Sequence, residues 1–231
     1  MICRSETLAH VPLFAAFSFE DVRALDSRCI WRRAHAGDWV LDDYAEGTDV
    51  YFVVNGHVRG ISRSPGRPLI LADIRAGEYF GMISAIDGKP GMCRVRAITD
   101  TVIAKMKASV FREVVDRYPD VRAGVLESLA QVVRTFANRT IEHAHLHVRE
   151  RLCTELLRLS RANGAGRLVV SPPPTHAELA ARISARREAV TKLLKALELE
   201  GAIVRTRSAI ALIDPGRLRH IVAALGQRDA A

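Results

Sequence analysis

At 231 residues, with 48% hydrophobic and 26% charged residues, the chain has the balance of a globular protein long enough for one or two buried cores. Its net charge of +8 is uneven: the segment from Val148 onward holds 15 Lys/Arg against 8 Asp/Glu, leaving 19 against 18 before it, so a polyanionic partner is expected at the C-terminal end. No apolar run approaches the roughly 18 to 20 residues that cross a bilayer, and Met1-Ile2-Cys3-Arg4-Ser5-Glu6 lacks the layout of a secretory signal, so a cytoplasmic protein without membrane contact is expected.

Residues 8–19 open with apolar Leu8, Val11, Leu13, Phe14 and Phe17, and Ser18 is placed to cap a short helix through Glu20, Val22 and Leu25. From Trp31 to Met106 the pattern changes to short β-type runs at 39–41, 50–54, 57–61, 69–71, 93–97 and 101–104. Gly, Pro, Asp and Asn part them at intervals of roughly ten residues, with Gly37, Gly47, Gly56, Gly77 and Gly81 at turns, which predicts a sandwich or barrel.

Ser109 is placed to cap a helix over 110–118, and Pro119 stands near the start of a long helix running to about His147. Within it Val125, Leu129, Val132, Phe136, Arg139, His143 and Leu146 recur with a 4-3 spacing, a heptad seam that predicts a parallel homodimer. On such a helix His143 and His147 share a face, the i,i+4 geometry of some zinc sites. No cysteine or carboxylate at ligand spacing completes the set, so a helix-end and hinge role competes with metal or proton sensing.

The 175–199 segment reads as two short helices joined by a tight turn at Ser184 and Ala185. Thr175 is an N-cap and Glu178 completes a capping box, while Pro172, Pro173 and Pro174 stop the chain from running into the helix. Leu179, Ala180 and Ile183 give the first helix an apolar stripe; Ala189, Val190, Leu193, Leu194 and Leu197 do the same for a second helix starting at Arg186. Its other side carries Arg186, Arg187, Glu188, Thr191, Lys192 and Lys195. Arg grips guanine through O6 and N7, Glu accepts from a cytosine amino group, and Lys or Thr serves a base edge or a phosphate. One acid among bases argues for base reading by Arg186, Arg187, Glu188, Thr191 and Lys192; the competing reading is a solvated face with a Glu188–Lys192 pair worth about 0.2–0.5 kcal/mol. After Gly201, the runs Ile203-Val204 and 210–213 flank Arg205-Thr206-Arg207-Ser208, a two-stranded wing with a basic tip. Thr175, Lys195, Arg205 and Arg207 are the expected phosphate contacts.

Arg187-Glu188-Ala189-Val190 with Leu193, Leu197, Gly201 and Ile203 resembles the C-terminal winged helix-turn-helix of the CRP/FNR family of bacterial transcription regulators. The chain departs from the family at Ser184, where Gly is frequent, and at Lys192, where an Arg is common and Lys lacks the bidentate fork. Gly37-Asp38-Trp39-Val40, the stretch 51–58 and Gly77-Glu78-Tyr79-Phe80-Gly81 resemble the family's cyclic-nucleotide-binding β-roll, so the likeness spans about residues 8–215. It implies an α+β fold: a jelly-roll-like antiparallel β-roll sensor domain (1–108), a short helix and long dimerisation helix (109–147), and a winged helix-turn-helix DNA-binding domain (148–231).

Residues 80–97 line up with the phosphate-binding cassette of cyclic-nucleotide binders, which use a Glu after the Gly for the ribose and an Arg-Ser or Arg-Thr pair for the cyclic phosphate. Here Gly81 is followed by Met82 and Ile83, and the Arg-Ser positions are Gly91 and Met92, followed by Cys93. On the long helix, positions that contact adenine in cyclic-AMP-responsive relatives are Phe136 and Ala137. Losing a desolvated, charge-assisted contact costs on the order of several kcal/mol, thousands-fold in affinity, so cAMP and cGMP are not expected as tight ligands. Arg94 and Arg96 lie nearby, but strand alternation turns both to one face, for which a surface role is expected. The pocket is then vacant, repurposed for another small molecule, or filled by its own side chains.

The family resemblance implies double-stranded DNA as partner, read as a palindromic operator by a homodimer whose recognition helices stand about 34 Å apart, with RNA polymerase a further partner of an activator. A sensor module switched by a non-nucleotide, metal or redox signal, or a constitutive DNA binder, is the alternative. No nucleophile elbow, P-loop, dinucleotide glycine motif or metal triad is present, so an enzyme is not expected. Nor is a cofactor: Cys3 and Cys29 are too few for an iron–sulfur cluster even with Cys93, and Cys153 stands apart.

Overall fold

Ser18 caps α1 (Phe19–Ser27), its Oγ accepting from the Asp21 amide at 3.1 Å as the sequence predicts. The structure, a computed structural model, describes residues 7–42, 47–63 and 67–223; Cys3 and the opening hexapeptide lie outside them. Two compact units result, Met1–Val133 and Arg134–Ala231, and the division between them falls inside a helix. No helix among the described residues is long and apolar enough to cross a membrane.

The first unit is an antiparallel roll built from β1 (Cys29–Ala34), β2 (Trp39–Leu41), β3 (Val50–Asn55), β4 (His57–Ser62), β5 (Ile70–Arg75), β6 (Tyr79–Phe80), the short helix α2 (Met82–Asp87), β7 (Cys93–Ala97) and β8 (Thr101–Met106). Its strands form two four-stranded sheets, β1-β8-β3-β6 and β2-β7-β4-β5. β3 is apolar on both faces. Val50, Phe52 and Val54 pack with Phe14, Val22 and Phe111 on the helical side, while Tyr51 and Val53 meet Val58, Val95 and Ile103 between the sheets. Such two-sided burial is why its sequence is a continuous apolar run rather than an alternating one. At the β3–β4 hairpin a Cβ on Gly56 would lie 2.4 Å from the Asp100 carbonyl oxygen, and φ is +89°, so only glycine fits.

Next come α3 (Ala108–Arg117) and α4 (Pro119–His145). Ser109 is not the cap of α3: the helix starts at Ala108, two residues earlier than expected, and its N-cap Lys107 makes no side-chain capping bond. Its Ala108 amide instead donates 3.3 Å to Asp49 Oδ1, a carboxylate 59 residues away that no local motif reveals. α4 ends at His145, two residues short of His147, and α5 (Val148–Leu159) follows.

The C-terminal unit continues with β9 (Arg161–Ala162), β10 (Leu168–Val170), α6 (His176–Arg182), α7 (Arg187–Leu199), β11 (Ile203–Arg205), β12 (Ile210–Leu212) and α8 (Pro215–Ala223). The expected two-stranded wing is part of a four-stranded sheet, β11-β12-β10-β9, because β10 pairs with the far side of β12. Leu152, Leu156, Leu179, Val190, Leu194, Leu197 and Leu218 form the centre of this unit's core.

Candidate DNA interface and effector pocket

Thr175 and Glu178 form the predicted capping box: the Glu178 amide donates to Thr175 Oγ1 at 3.1 Å and the Thr175 amide to Glu178 Oε2 at 2.7 Å. Ile183 and Ala185 are buried at the turn, and Ser184 adopts φ +50° between them. A non-glycine residue there carries a left-handed penalty of roughly 1 kcal/mol, so Ser184→Gly is expected to stabilise the C-terminal unit by about 0.5–1 kcal/mol in denaturant unfolding.

Arg186 is the N-cap of α7 rather than its first residue, because its backbone is still extended. Val190, Leu194 and Leu197 anchor one side of α7. On the other side Arg186, Arg187, Glu188, Lys192 and Lys195 are exposed, and none of their side chains has a hydrogen bond or ion pair among the described residues. The Glu188–Lys192 pair that the competing reading of a solvated face included is not formed among the described residues.

Two other predicted contacts sit differently. Thr191 is exposed, but its hydroxyl donates to the Arg187 carbonyl at 3.0 Å and lies 2.7 Å from His176 Nδ1. Arg205 turns away from the tip to pair with Glu198 at 2.5 Å and to meet His176 Nε2 at 3.1 Å. Glu198 is held below the usual carboxylate range by that guanidinium. Arg207, at the exposed tip between β11 and β12, has no such engagement among the described residues.

Sequence reasoning missed a charge cluster in the same unit. Glu155 is buried and accepts from Arg158 at 2.5 Å and from Arg182 at 3.4 Å, while Arg158 also bonds Glu142 on α4. Arg139, read as a seam residue, belongs to this cluster, and burial lowers its pKa. Arg151 ties the α4–α5 joint to the helix-turn-helix by donating to the carbonyls of Leu146 at 2.9 Å and Ile183 at 3.1 Å. The helix break before His147 means His143 and His147 do not share a helical face as predicted. Burial first and Arg151 second push the His143 pKa down, an environment set against a cation. Among the described residues no group of three or more His, Cys, Asp or Glu is placed to hold a metal.

On α4 the predicted seam is largely the helix's inward face. Val125 is buried in the roll's core, and Leu129 and Val132 pack against it, so these residues already have partners within the chain. Leu126, Ala130, Val133, Ala137, Thr140 and Ala144 are exposed at alternating spacings of four and three, a second stripe about 100° round the helix. Phe136 continues the first stripe but is 40% exposed, and Ile141 is exposed beside the second.

In the roll, Gly81 is left-handed at φ +90°, and a Cβ on it would lie 2.3 Å from the Asp49 carbonyl oxygen. The turn directs Met82 into the helical-side core, where it is 6% exposed, rather than toward a ligand space. Ile83 is partly exposed, Gly91 sits against Ser84 Oγ and Met92 projects into solvent. Cys93 packs against the apolar cluster between the sheets, and burial raises its thiol pKa; Cys29 and Cys153 are pushed up to about 12 by the same cause. Val95 faces that cluster, so Arg94 and Arg96 point outward, where both stack on Trp39 with centroid distances of 4.7 and 5.6 Å. An ion cluster on β4 and β5 was also not foreseen: Arg59 Nε and His57 Nε2 approach Asp73 Oδ1 at 2.7 and 3.2 Å.

A family model of Crp-like helix-turn-helix domains matches residues 150–221, and one of cyclic nucleotide-binding domains matches residues 31–118. The CRP-like cAMP-activated global transcriptional regulator of Mycobacterium tuberculosis is 25% identical over 217 residues, 92% of this chain and 97% of that protein. Lysophospholipase nte1 of Neosartorya fischeri is 26% identical over 118 residues, 51% of this chain, but the chain spans only 8% of that relative's length. Among solved structures, the c-di-GMP responsive regulator CLP of Xanthomonas campestris superposes with a TM-score of 0.73 at 18% identity, covering 84% of this chain and 99% of that one. A CooA variant from Carboxydothermus hydrogenoformans reaches 0.78 at 17% identity, covering 95% and 99%. With a cyclic nucleotide-binding-type roll followed by a Crp-like helix-turn-helix, the chain belongs to the CRP/FNR family of transcription regulators.

Proposed function

We propose that the protein binds a two-fold symmetric DNA operator as a homodimer, reading bases with Arg186, Arg187, Glu188 and Lys192 and gripping phosphates with Thr175, Lys195 and Arg207. The observation that carries this is the outer face of α7, a row of exposed charged side chains without partners among the described residues, on a helix fixed from behind by buried Val190, Leu194 and Leu197. The exposed stripe on α4 supports dimerisation, since a second copy of the same stripe is its natural cover. Residues 1–108 act as sensor, 109–147 as connector and 148–231 as reading head.

Control does not run through cAMP or cGMP in this reading. Met82 is turned into the core, Gly91 has no charge, and Arg94 and Arg96 face away from the space between the sheets. That space is lined by apolar side chains, including the stacked pair Tyr51 and Phe80 at 5.0 Å, which favours an apolar effector or none over an anionic one.

Selection of duplexes from a random pool, followed by footprinting, tests the assignment. Arg187→Ala is expected to lose discrimination at one base position by about 1–3 kcal/mol, leaving affinity for scrambled DNA nearly unchanged. Equal loss on selected and scrambled duplexes would move Arg187 from base reading to phosphate contact.

A further inference from the structure

His176, which the sequence reading left unassigned, stands where three parts of the reading head meet. It is the first residue of α6; its Nδ1 lies 2.7 Å from Thr191 Oγ1 on α7, and its Nε2 lies 3.1 Å from Arg205 Nη1 on β11. Arg205 is anchored in turn by Glu198, near the far end of α7. Pro173, Pro174 and Leu194 form walls of the same cleft, of about 550 Å³.

The hydrogen-bond directions are fixed by the chemistry of the partners. A guanidinium only donates, so Nε2 must accept from Arg205. The proton of a neutral ring therefore sits on Nδ1, which donates to Thr191 Oγ1, and the Thr191 hydroxyl passes its own proton to the Arg187 carbonyl. Each donor along this run of bonds, from Arg205 Nη1 through the ring to the Thr191 hydroxyl, then has an acceptor. A protonated ring has no lone pair for Arg205 and instead sets two cations against each other.

We propose that neutral His176 is the positioning residue that locks the β11–β12 hairpin, α6 and α7 into one DNA-reading arrangement, and that protonation of the ring releases the hairpin. This rests on the DNA-reading assignment above and extends it: Thr191 and Arg205 serve DNA through position rather than by direct contact. The charges facing the ring are Arg205 and Arg207 from the hairpin, Arg187 from the first turn of α7 and Glu198 held by Arg205, with Glu178 on its own helix. Partial burial, then Arg205 and Arg187, lower the pKa of the ring below the ordinary histidine value. The unfolded chain therefore takes up this proton more readily than the folded one, and the stability of the locked form is lost as pH falls through the histidine range.

The expected DNA effect runs opposite to ordinary electrostatics. Acid makes the protein more cationic, which by itself strengthens binding to phosphate. Here the preference for a selected duplex over a scrambled one is expected to fall about tenfold between about pH 7.5 and 5.5, and by less than about twofold in His176→Gln. NMR of the labelled imidazole in the free full-length protein is expected to show the Nδ1–H tautomer, shifted toward Nε2–H when Arg205→Met removes the donor to Nε2. An equally steep acid loss in His176→Gln, or an Nε2–H tautomer in the parent, overturns the proposal. Failure to select any preferred duplex instead removes the DNA-reading assignment, and with it the role given to the lock, even if NMR shows the tautomer.

Discussion

Leu126→Glu combined with Val133→Glu is expected to yield a folded monomer whose affinity for a palindromic operator is at least about a hundredfold below the parent's, because linked half-site binding gains roughly 10²–10⁴ from effective concentration. Both side chains are exposed, at 60% and 66%, so their replacement removes nothing from the core of the chain itself. In a dimer closed along that stripe, the same changes set four carboxylates against one another in an apolar seam. Val125→Asp has a different expected outcome. Val125 is 2% exposed within the roll's core, and a carboxylate there costs at least about 3 kcal/mol, so the first unit should unfold regardless of oligomeric state. Sedimentation and circular dichroism separate the two cases. A double variant that still sediments as a dimer would mean the subunits meet elsewhere.

The second large effect concerns the cassette. Millimolar cAMP or cGMP is expected to raise the melting temperature of the parent by less than about 1 °C, since a ligand stabilises only in proportion to its binding. Restoring Gly91→Arg and Met92→Ser should not rescue binding, because the position that grips the ribose in cyclic-nucleotide binders is turned away. Met82→Glu would place that carboxylate among Val50, Phe52 and Met106 in the core, costing at least about 3 kcal/mol and driving its pKa upward. Differential scanning fluorimetry of the single, double and triple variants reads all of this. A triple variant as stable as the parent that melts higher with cAMP would show that α2 turns easily, and the pocket would count as dormant rather than lost.

Legibility in the sequence followed the range of the interactions involved. α6 and α7 were readable because the Thr175/Glu178 box, the turn and the apolar stripes lie within a few residues of one another. The strands were readable because β-branched runs and turn residues alternate. The phase of the α4 stripe was not. Val121, Val125, Leu129 and Val132 repeat as regularly as Leu126, Ala130, Val133 and Ala137, and periodicity says that a helix has a partner, not which partner each stripe meets. The α3 cap was hidden for a related reason, since its acceptor, Asp49, belongs to another part of the roll. Arg205 and Thr191 had the right chemistry for DNA, but only the fold brings His176 between them. The strands β6 and β9 are two residues long, too short to leave a pattern.

Strand β3 carries one implication beyond packing. Tyr51 and Val53 face the space between the sheets, while Val50, Phe52 and Val54 face the layer that includes Val121 and Val125 of α4. The inner and outer residues alternate along a single backbone. A ligand large enough to displace Tyr51 would therefore have to drag Phe52 with it. Val121 and Val125 share one packed core with Val50, Phe52 and Val54, so a shift of the β3 backbone would be felt in the layer that holds the root of the long helix.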